Sequence, residues 1–192
     1  MARAAEQLWN IEDFLAFDDG TDTRYELIRG RIVAMAPPAE AHGELTIRLG
    51  AALQAGLRPP CRVIAEAGIL LPDRADTYYQ ADLAITCAPR RPGQVWVVDP
   101  IVIVEVLSPS TAASDLERKL PDSRLIPSLR EVLVVSSTEP RVEHLSRGDD
   151  GWRIEDHRGG GHVRLRAFDI ALDIGVLYRD VLPSHPTSDP GS

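Results

Sequence analysis

Lysine is nearly absent from this chain of 192 residues, because Lys119 is the only lysine and every other basic residue is arginine. Aromatic side chains make up only 5% of the residues, and the formal net charge is −8. Such a charge argues against a broad basic surface that grips nucleic acid through counterion release. A small local groove with basic residues remains compatible with this composition.

Cysteine is also scarce, and long apolar runs are missing. The two cysteines, Cys61 and Cys87, stand in apolar sequence contexts, and we expect them to be buried free thiols. The first residues, MARAAEQLWN, contain no apolar segment of the kind found in secretory signals. No apolar run approaches the roughly 18 residues of a membrane span. We therefore expect a cytoplasmic protein.

The length and the hydrophobic pattern favour one compact domain of mixed secondary structure. With 44% hydrophobic residues, the chain can form a substantial core. We expect a single domain over residues 1–182 and a disordered polar tail over residues 183–192. Strand-like segments outnumber helical ones, and helices flank a strongly apolar strand. We therefore predict an α/β (mixed α+β) fold, in which helices flank a central mixed sheet and an antiparallel meander closes the C-terminal part.

Capping and turn signals set the boundaries of several predicted elements. Asn10 is expected to cap a short helix that ends near Phe17, and Arg29-Gly30 is expected to turn a hairpin. A helix is predicted over residues 39–57, another from about Ser114 through Lys119, and a final one in DIALDIGVLYRDVL.

The segment IVIVEVLSPSTAASDLERK, residues 101–119, carries the strongest functional signal. An unbroken apolar run precedes Glu105, which is typical of a central strand covered on both faces. A carboxylate at the end of such a strand is unfavourable unless a cation or an arginine compensates it. Asp82 lies in a second predicted strand, QADLAITCAP. If the two strands are neighbours, Asp82 and Glu105 can hold one Mg²⁺ ion.

Lys119 follows Glu105 on the next predicted helix. From there its ammonium could place or deprotonate a water molecule, or stabilise charge that develops on a phosphate. Simpler interpretations also stay open, since acids near strand ends are common and a single lysine can reflect a general preference for arginine.

Several segments taken together resemble the Uma-two (Uma2) family of putative restriction endonucleases, which belongs to the PD-(D/E)XK nuclease-like superfamily. The resemblance covers about residues 8–182. The segments PSLREVLVVSSTEPRVEHLSR and LYRDV fit the family pattern. The matching features that bear on chemistry are YELIRG at residues 25–30, His42 in the following helix, ADLAI with Asp82, VEVLSPST with Glu105, and the later Asp115 and Lys119.

The resemblance implies a role for each of the main candidates. Asp82 and Glu105 resemble the family's two metal ligands, and Glu26 resembles a helper acid that reaches the metal through water. The superfamily usually places a lysine two residues after the glutamate, where this chain has Leu107. Lys119 resembles the lysine that this family supplies instead from the helix after the glutamate strand.

The chain also departs from the family pattern. Ala81 replaces the usual proline before the aspartate, and Arg29 replaces an acid in the hairpin. Ser123 stands where an aromatic residue follows the lysine, and Pro121 interrupts the same helix. These changes spare the predicted metal ligands and bear mainly on the placement of Lys119.

Two candidates have structural alternatives. Glu26 could simply pair with Arg24 or Arg31. His42 lies on an apolar helical stripe and is better explained as a satisfied core histidine, with a phosphate or carboxylate contact as the alternative.

Three functions follow from these patterns. The leading hypothesis is an endonuclease that depends on Mg²⁺, or on Mn²⁺, and hydrolyses phosphodiester bonds of DNA, with a homodimer implied by the resemblance. The second is a catalytically weak or inactive protein of nuclease fold that binds nucleic acid or a protein partner. The third is a metal-dependent hydrolase that acts on another substrate. The residues assigned to the site are Lys119, Glu105, Asp82 and Glu26, with His42 as a secondary candidate.

Overall fold

The computed structural model describes residues 8–108 and 112–182, and for residues 112–117 it describes the backbone alone. Its helices are α1 (Ile11–Leu15), α2 (Glu40–Gly56), α3 (Ala112–Ser123) and α4 (Ile174–Leu177). Its strands are β1 (Tyr25–Ile28), β2 (Arg31–Ala34), β3 (Arg62–Leu70), β4 (Tyr78–Thr86), β5 (Pro100–Leu107), β6 (Glu131–Ser136), β7 (Arg141–Gly148), β8 (Gly151–Arg158), β9 (His162–Leu165) and β10 (Ile170–Asp173).

Most of the strands form one large mixed sheet, which confirms the predicted fold class. The strand order is β2-β1-β4-β5-β6-β7-β8, and β3 pairs with β4 off this path. β5 and β6 run parallel, whereas the other paired strands in this sheet run antiparallel. The parallel pair needs a crossover connection, and α3 supplies it, as is usual for parallel neighbours.

The sheet forks beside β4. β3 pairs with β4 from Tyr78 to Thr86 and so occupies one edge of that strand. The other edge is divided, because β5 pairs with residues 83–86 and β1 pairs at Tyr78. Residues 79–82 of β4 therefore face the space between β1 and β5, where the backbone hydrogen-bond ladder gives way to side chains.

The core lies on both faces of the sheet. α2 covers one face with leucines at helical spacing, each completely buried. Alternate residues of β5 join this cluster or the cluster on the opposite face, as the period of two in a strand requires. The leucines are Leu45, Leu49 and Leu53; the β5 residues on the α2 side are Val102, Val104 and Val106; and Ile103 packs on the other side with Ile126 and Leu129.

Local signals in the first third of the chain are confirmed. Asn10 caps α1 by accepting a hydrogen bond from the N–H of Asp13, although the helix ends at Leu15. Arg29 and Gly30 connect β1 to β2 with φ values of 50° and 77°. Positive φ at both central positions is what a two-residue hairpin turn requires.

The C-terminal third differs from the prediction. β6, β7 and β8 form the expected antiparallel meander, but β9 pairs with β10 in a separate two-stranded sheet. The predicted final helix is wrong over residues 170–173, because Ile170 and Leu172 alternate with less buried residues and follow the period of a strand. The helix that remains, α4, is capped by Asp173 and is only one turn long.

Helix α3 is longer than predicted. It includes Pro121, which lies in its last turn, so the missing N–H interrupts little of the helix. By residue type, Ser110, Thr111 or Ser114 can cap this helix. Ser110 and Thr111, like the tail over residues 183–192, lie outside the described part of the chain, and only the backbone of Ser114 is described.

The expectation of free thiols is wrong. Cys61 and Cys87 form a disulfide whose Cα atoms lie 3.9 Å apart, between the residue before β3 and the residue after β4. β3 and β4 pair in antiparallel register up to Arg62↔Thr86. The next residues on the two strands are therefore opposite each other, a relationship that separate sequence positions do not reveal. In the described residues, no helix combines the length and apolar character needed to cross a membrane.

Candidate active site

A cavity of about 330 Å³ opens at the fork between β1 and β5. Its walls come from the six strands β1 to β6 and from α2 and α3, together with the segment before α2. The structure brings to this cavity the five residues assigned to the site from sequence: Glu26, His42, Asp82, Glu105 and Lys119.

Asp82 lies where β4 and β5 part. The last pair of their ladder toward the fork is Leu83↔Val104, so the next step would set Asp82 opposite Glu105. The Asp82 side chain takes the place of the ladder there, because its Oδ2 accepts a hydrogen bond of 2.7 Å from the N–H of Val106. This contact fixes the carboxylate at the mouth of the fork, beside Glu105.

His42 faces Asp82 from helix α2. Its Nε2 lies 3.2 Å from Asp82 Oδ1, and 15% of its side chain is exposed. Its Nδ1 is buried and has no hydrogen-bond partner among the described residues. The structure therefore shows the carboxylate contact that stood as the alternative for His42, with one ring nitrogen paired to Asp82.

Glu26 and Lys119 form a buried ion pair. Lys119 Nζ lies 2.7 Å from Glu26 Oε1, with 10% and 5% of the two side chains exposed. The same carboxylate oxygen accepts a hydrogen bond of 2.8 Å from the N–H of Gln80, at the edge of β4 that faces the fork. Glu26 thus binds β4 and α3 to β1, whereas Arg24, one of the two arginines considered for it, pairs with Glu66.

The position of Lys119 is set by a contact between α3 and β4. The hydroxyl of Tyr79 donates a hydrogen bond of 2.6 Å to Asp122, three residues after Lys119 on α3. Burial, followed by this hydrogen bond, raises the pKa of Tyr79 well above its usual range. The tyrosine therefore stays neutral, and its ring centre lies 5.8 Å from Lys119 Nζ, within reach of a cation–π interaction.

No pattern in the sequence marks the supporting residues Tyr79 and Asp122. The stretch DRADTYY, which ends in Tyr79, has the composition of a loop, and Asp122 follows a proline. Glu66 and Arg118, which also line the cavity, are equally unmarked in the sequence, whereas Arg24 stands out only as a possible partner for Glu26. Only the pairing of β4 with its neighbours brings these side chains together. The candidate Asp115 lies in the part of α3 whose side chains are not described.

The cavity carries an excess of negative charge. Four carboxylates line it, Glu26, Glu66, Asp82 and Glu105, against three basic side chains, Arg24, Arg118 and Lys119. The difference is a formal charge of −1 with His42 neutral. A cation is therefore favoured over a bare phosphate at the base of this cavity.

The residues fit a hard divalent cation. Asp82 and Glu105 offer carboxylate oxygens, which Mg²⁺ prefers. The hydrogen bond from Val106 leaves lone pairs on the Asp82 carboxylate, since each oxygen carries two. Mn²⁺ is compatible with the same site, because it also suits carboxylate oxygens. Leu107, at the usual lysine position, lines the cavity with an apolar side chain and offers no such ligand.

Comparison with known proteins gives a match along most of the chain. The model of the Uma2 family, described as "Putative restriction endonuclease", matches residues 11–175. Two proteins of Synechocystis sp. (strain ATCC 27184 / PCC 6803 / Kazusa) are similar in sequence. Uncharacterized protein slr1290 is 28% identical over 171 residues, which cover 88% of this chain and 90% of the relative. Uncharacterized protein sll1609 is 27% identical over 164 residues, which cover 83% of this chain and 93% of the relative.

A solved structure shares the fold. The crystal structure of a putative nuclease belonging to DUF820 from Anabaena variabilis ATCC 29413 superimposes with a TM-score of 0.75. The match covers 90% of this chain and 99% of the other, with 17% sequence identity. At this identity the likeness establishes a common fold.

Proposed function

This chain belongs to the Uma2 family of putative restriction endonucleases, and we propose that it is a Mg²⁺-dependent endonuclease that hydrolyses phosphodiester bonds of DNA. Mn²⁺ is expected to replace Mg²⁺. The proposed site is the cavity at the fork, with Asp82 and Glu105 as metal ligands and with Lys119 and Glu26 as catalytic residues.

One observation carries the proposal. Glu26, His42, Asp82, Glu105 and Lys119 come from five different elements of secondary structure, and all of them line the same cavity. Acidic and basic side chains that are only surface charges are not expected to meet in one cavity from separate strands and helices. Their convergence beside a fork in the sheet is the arrangement that a site for a charged ligand needs.

The residues of the cavity have different roles in the proposed reaction. When bound by Asp82 and Glu105, a divalent cation would polarise a phosphoryl oxygen and promote ionisation of a water molecule. His42 holds Asp82 in place through Nε2. The ammonium of Lys119 lies in the wall of the same cavity, where it can donate hydrogen bonds to a phosphate oxygen and stabilise negative charge as it develops.

The ion pair with Glu26 also preorganises the ammonium of Lys119 for the proposed reaction. Glu26 keeps the ammonium at one place in a largely buried wall. A preorganised charge needs little rearrangement during the reaction, which makes it more effective than a mobile surface lysine. Glu26 therefore acts both as a positioning partner for Lys119 and as a candidate helper acid near the metal.

Binding without turnover is the second candidate function. The observation that favours it is the neutralisation of Lys119 by Glu26 at 2.7 Å, which lowers the charge available to a substrate. A protein of this kind would bind nucleic acid or a protein partner through the same fold. The sequence-based expectations of a homodimer and of a cytoplasmic location accompany the main proposal, and sedimentation of the purified chain tests the dimer.

A substrate panel tests the proposal. The purified chain would be incubated with supercoiled plasmid, single-stranded DNA, single-stranded RNA and a small phosphodiester, each in Mg²⁺, Mn²⁺ and EDTA. We expect metal-dependent cleavage of DNA. Cleavage of the small phosphodiester alone would indicate the hydrolase with another substrate, and DNA binding without cleavage would indicate the binding protein.

A further inference from the structure

A second cluster of metal-ligating side chains lies on the β7–β8 hairpin. One donor atom from each of His144, Glu155 and His157 lies within 4.8 Å of the donors of the other two. His144 is directly opposite Glu155 in the ladder, and His157 stands two residues farther along β8, on the same face as Glu155. The three residues do not line the cavity described above.

His144 is held in the orientation of a metal ligand. Its Nε2 lies 2.8 Å from Glu131 Oε1 at a site where both side chains are almost completely buried. The Glu131 carboxylate also accepts hydrogen bonds from the N–H groups of Arg166, at 2.9 Å, and Ala167, at 3.0 Å. Because a carboxylate only accepts, Nε2 carries the proton, and in the neutral ring Nδ1, which faces Glu155, is the nitrogen that can bind an ion. Ligating histidines are typically oriented by a carboxylate in this way.

The two carboxylate oxygens of Glu155 have different neighbours. Its Oε1 lies 3.6 Å from the guanidinium of Arg166, and its Oε2 lies 3.7 Å from His144 Nδ1. Arg166 thus approaches one oxygen and leaves the other directed at the imidazole. The oxygen that faces His144 is the one that can bind an ion.

His157 gives a second reason to expect an ion at this cluster, independent of the contacts of His144 and Glu155. Its Nε2 is buried and has no hydrogen-bond partner among the described residues. The rings of His144 and His157 lie 6.4 Å apart between centres. A buried ring nitrogen without a partner lowers stability, and an ion bound between the rings would satisfy it.

We propose that His144, Glu155 and His157 bind one Zn²⁺ ion, with water as the fourth ligand. Two imidazoles and one carboxylate are a ligand set that Zn²⁺ uses in proteins, whereas Mg²⁺ prefers oxygen ligands alone. Donors at about 2.0–2.1 Å from one ion lie about 3.4 Å apart, so small side-chain rotations close the cluster. The ion would join β7 to β8 and, through Glu131, to β6.

Zinc titration of the metal-free protein tests this site. Calorimetry with Zn²⁺, in the presence of a chelator that outcompetes the oxygen ligands of the cavity, should show one tightly bound ion per chain, and Zn²⁺ should raise the melting temperature. The double variant Asp82→Asn, Glu105→Gln should keep this ion, since the cluster does not line the cavity. His157→Gln should lower the affinity at least about 10²-fold, because loss of a ligand exceeds the effect of losing an outer-shell partner.

Two further variants serve the zinc titration, one as a control and one as a second ligand variant. His162→Gln changes a histidine whose side chain is 64% exposed and should bind Zn²⁺ as the parent does. Glu155→Gln, at a side chain 36% exposed, serves as the second ligand variant if His157→Gln does not fold. Bound Co²⁺ should show visible absorption without a thiolate charge-transfer band. A folded parent that binds no Zn²⁺, ligand variants with parental affinity, or a thiolate band would overturn the proposal.

Discussion

Lys119 Nζ lies 2.7 Å from Glu26 Oε1 in a pair that buries nearly all of both side chains. Charges removed from water in this way depend on each other, because either one alone would be buried without compensation. The pair joins α3 to β1 across the cavity. Lys119 is therefore part of the fold as well as of the proposed site, and variants at this position affect both.

The first prediction concerns stability. Lys119→Met should lower the free energy of unfolding by about 3–5 kcal/mol, because it leaves Glu26 buried and unpaired. The double variant Glu26→Gln, Lys119→Met should recover most of this loss. Urea unfolding of the parent, both single variants and the double variant measures the coupling energy between Glu26 and Lys119.

The exposed pair Arg24–Glu66 is the matched control, with an expected coupling energy below about 1 kcal/mol. Equal couplings for the two pairs would show that Lys119 is not held as described.

The second prediction separates the charge of Lys119 from its chemistry. Lys119→Arg keeps the positive charge beside Glu26, but a planar guanidinium cannot surrender a proton or take the place of an ammonium. Cleavage should fall by roughly 10²–10⁴, the range for positioned acid–base groups, with metal affinity unchanged. Rates measured beside Arg153→Lys, at an exposed position of β8, control for general effects. Parental turnover in Lys119→Arg would remove the lysine from the mechanism.

The third prediction is an alkaline loss of stability through Tyr178. Burial raises the pKa of Tyr178 to about 12, and its hydroxyl lies within hydrogen-bond distance of the carbonyls of Ser136 and Arg141. The unfolded tyrosine ionises near pH 10. The folded state therefore binds more protons between about pH 10 and 12, so this contribution is present below pH 10 and is lost as the pH rises to 12.

Tyr178→Phe tests the sign of this effect. The variant should be less stable than the parent near neutral pH, because two carbonyls lose their hydroxyl partner. Its stability should fall less steeply between pH 10 and 12. Parallel slopes for parent and variant, measured by urea unfolding across that interval, would contradict the assignment.

The fourth prediction follows from the disulfide. Denatured, non-reduced protein should contain no titratable thiol, and reduction should release two, because Cys61 and Cys87 are paired. Breaking the bond by Cys61→Ser and Cys87→Ser should lower the free energy of unfolding by about 2–4 kcal/mol. Two thiols before reduction would instead support the free cysteines expected from sequence.

The residues that meet in the cavity could be predicted from the sequence better than the contacts that support them. Asp82 and Glu105 could be assigned because each interrupts an apolar strand, and Lys119 because it is the single lysine on the following helix. The pairing of Glu26 with Lys119 could not, since it depends on how β1 meets α3 in space. The same limit explains His42, where helical periodicity gave the buried stripe but not the carboxylate that meets its ring.

The C-terminal elements show a second limit. The segment DIALDIGVLYRDVL has apolar residues at spacings that suit either a helix or a strand. Residues Ile170–Asp173 form a strand because they pair with β9. The single-domain boundary at residue 182 stays a prediction.

The most direct measurement is the rate at which the purified chain nicks supercoiled plasmid in Mg²⁺. If Asp82 and Glu105 hold the catalytic metal, EDTA should abolish nicking, and Glu105→Gln should lower the rate by at least about 10²-fold while it keeps the parental fold. Glu143→Gln, which changes a carboxylate of β7 that does not line the cavity, should nick as the parent does. Parental nicking by Glu105→Gln, or a folded parent with no metal-dependent nicking, would show that the cavity is not the site of a metal-dependent nuclease.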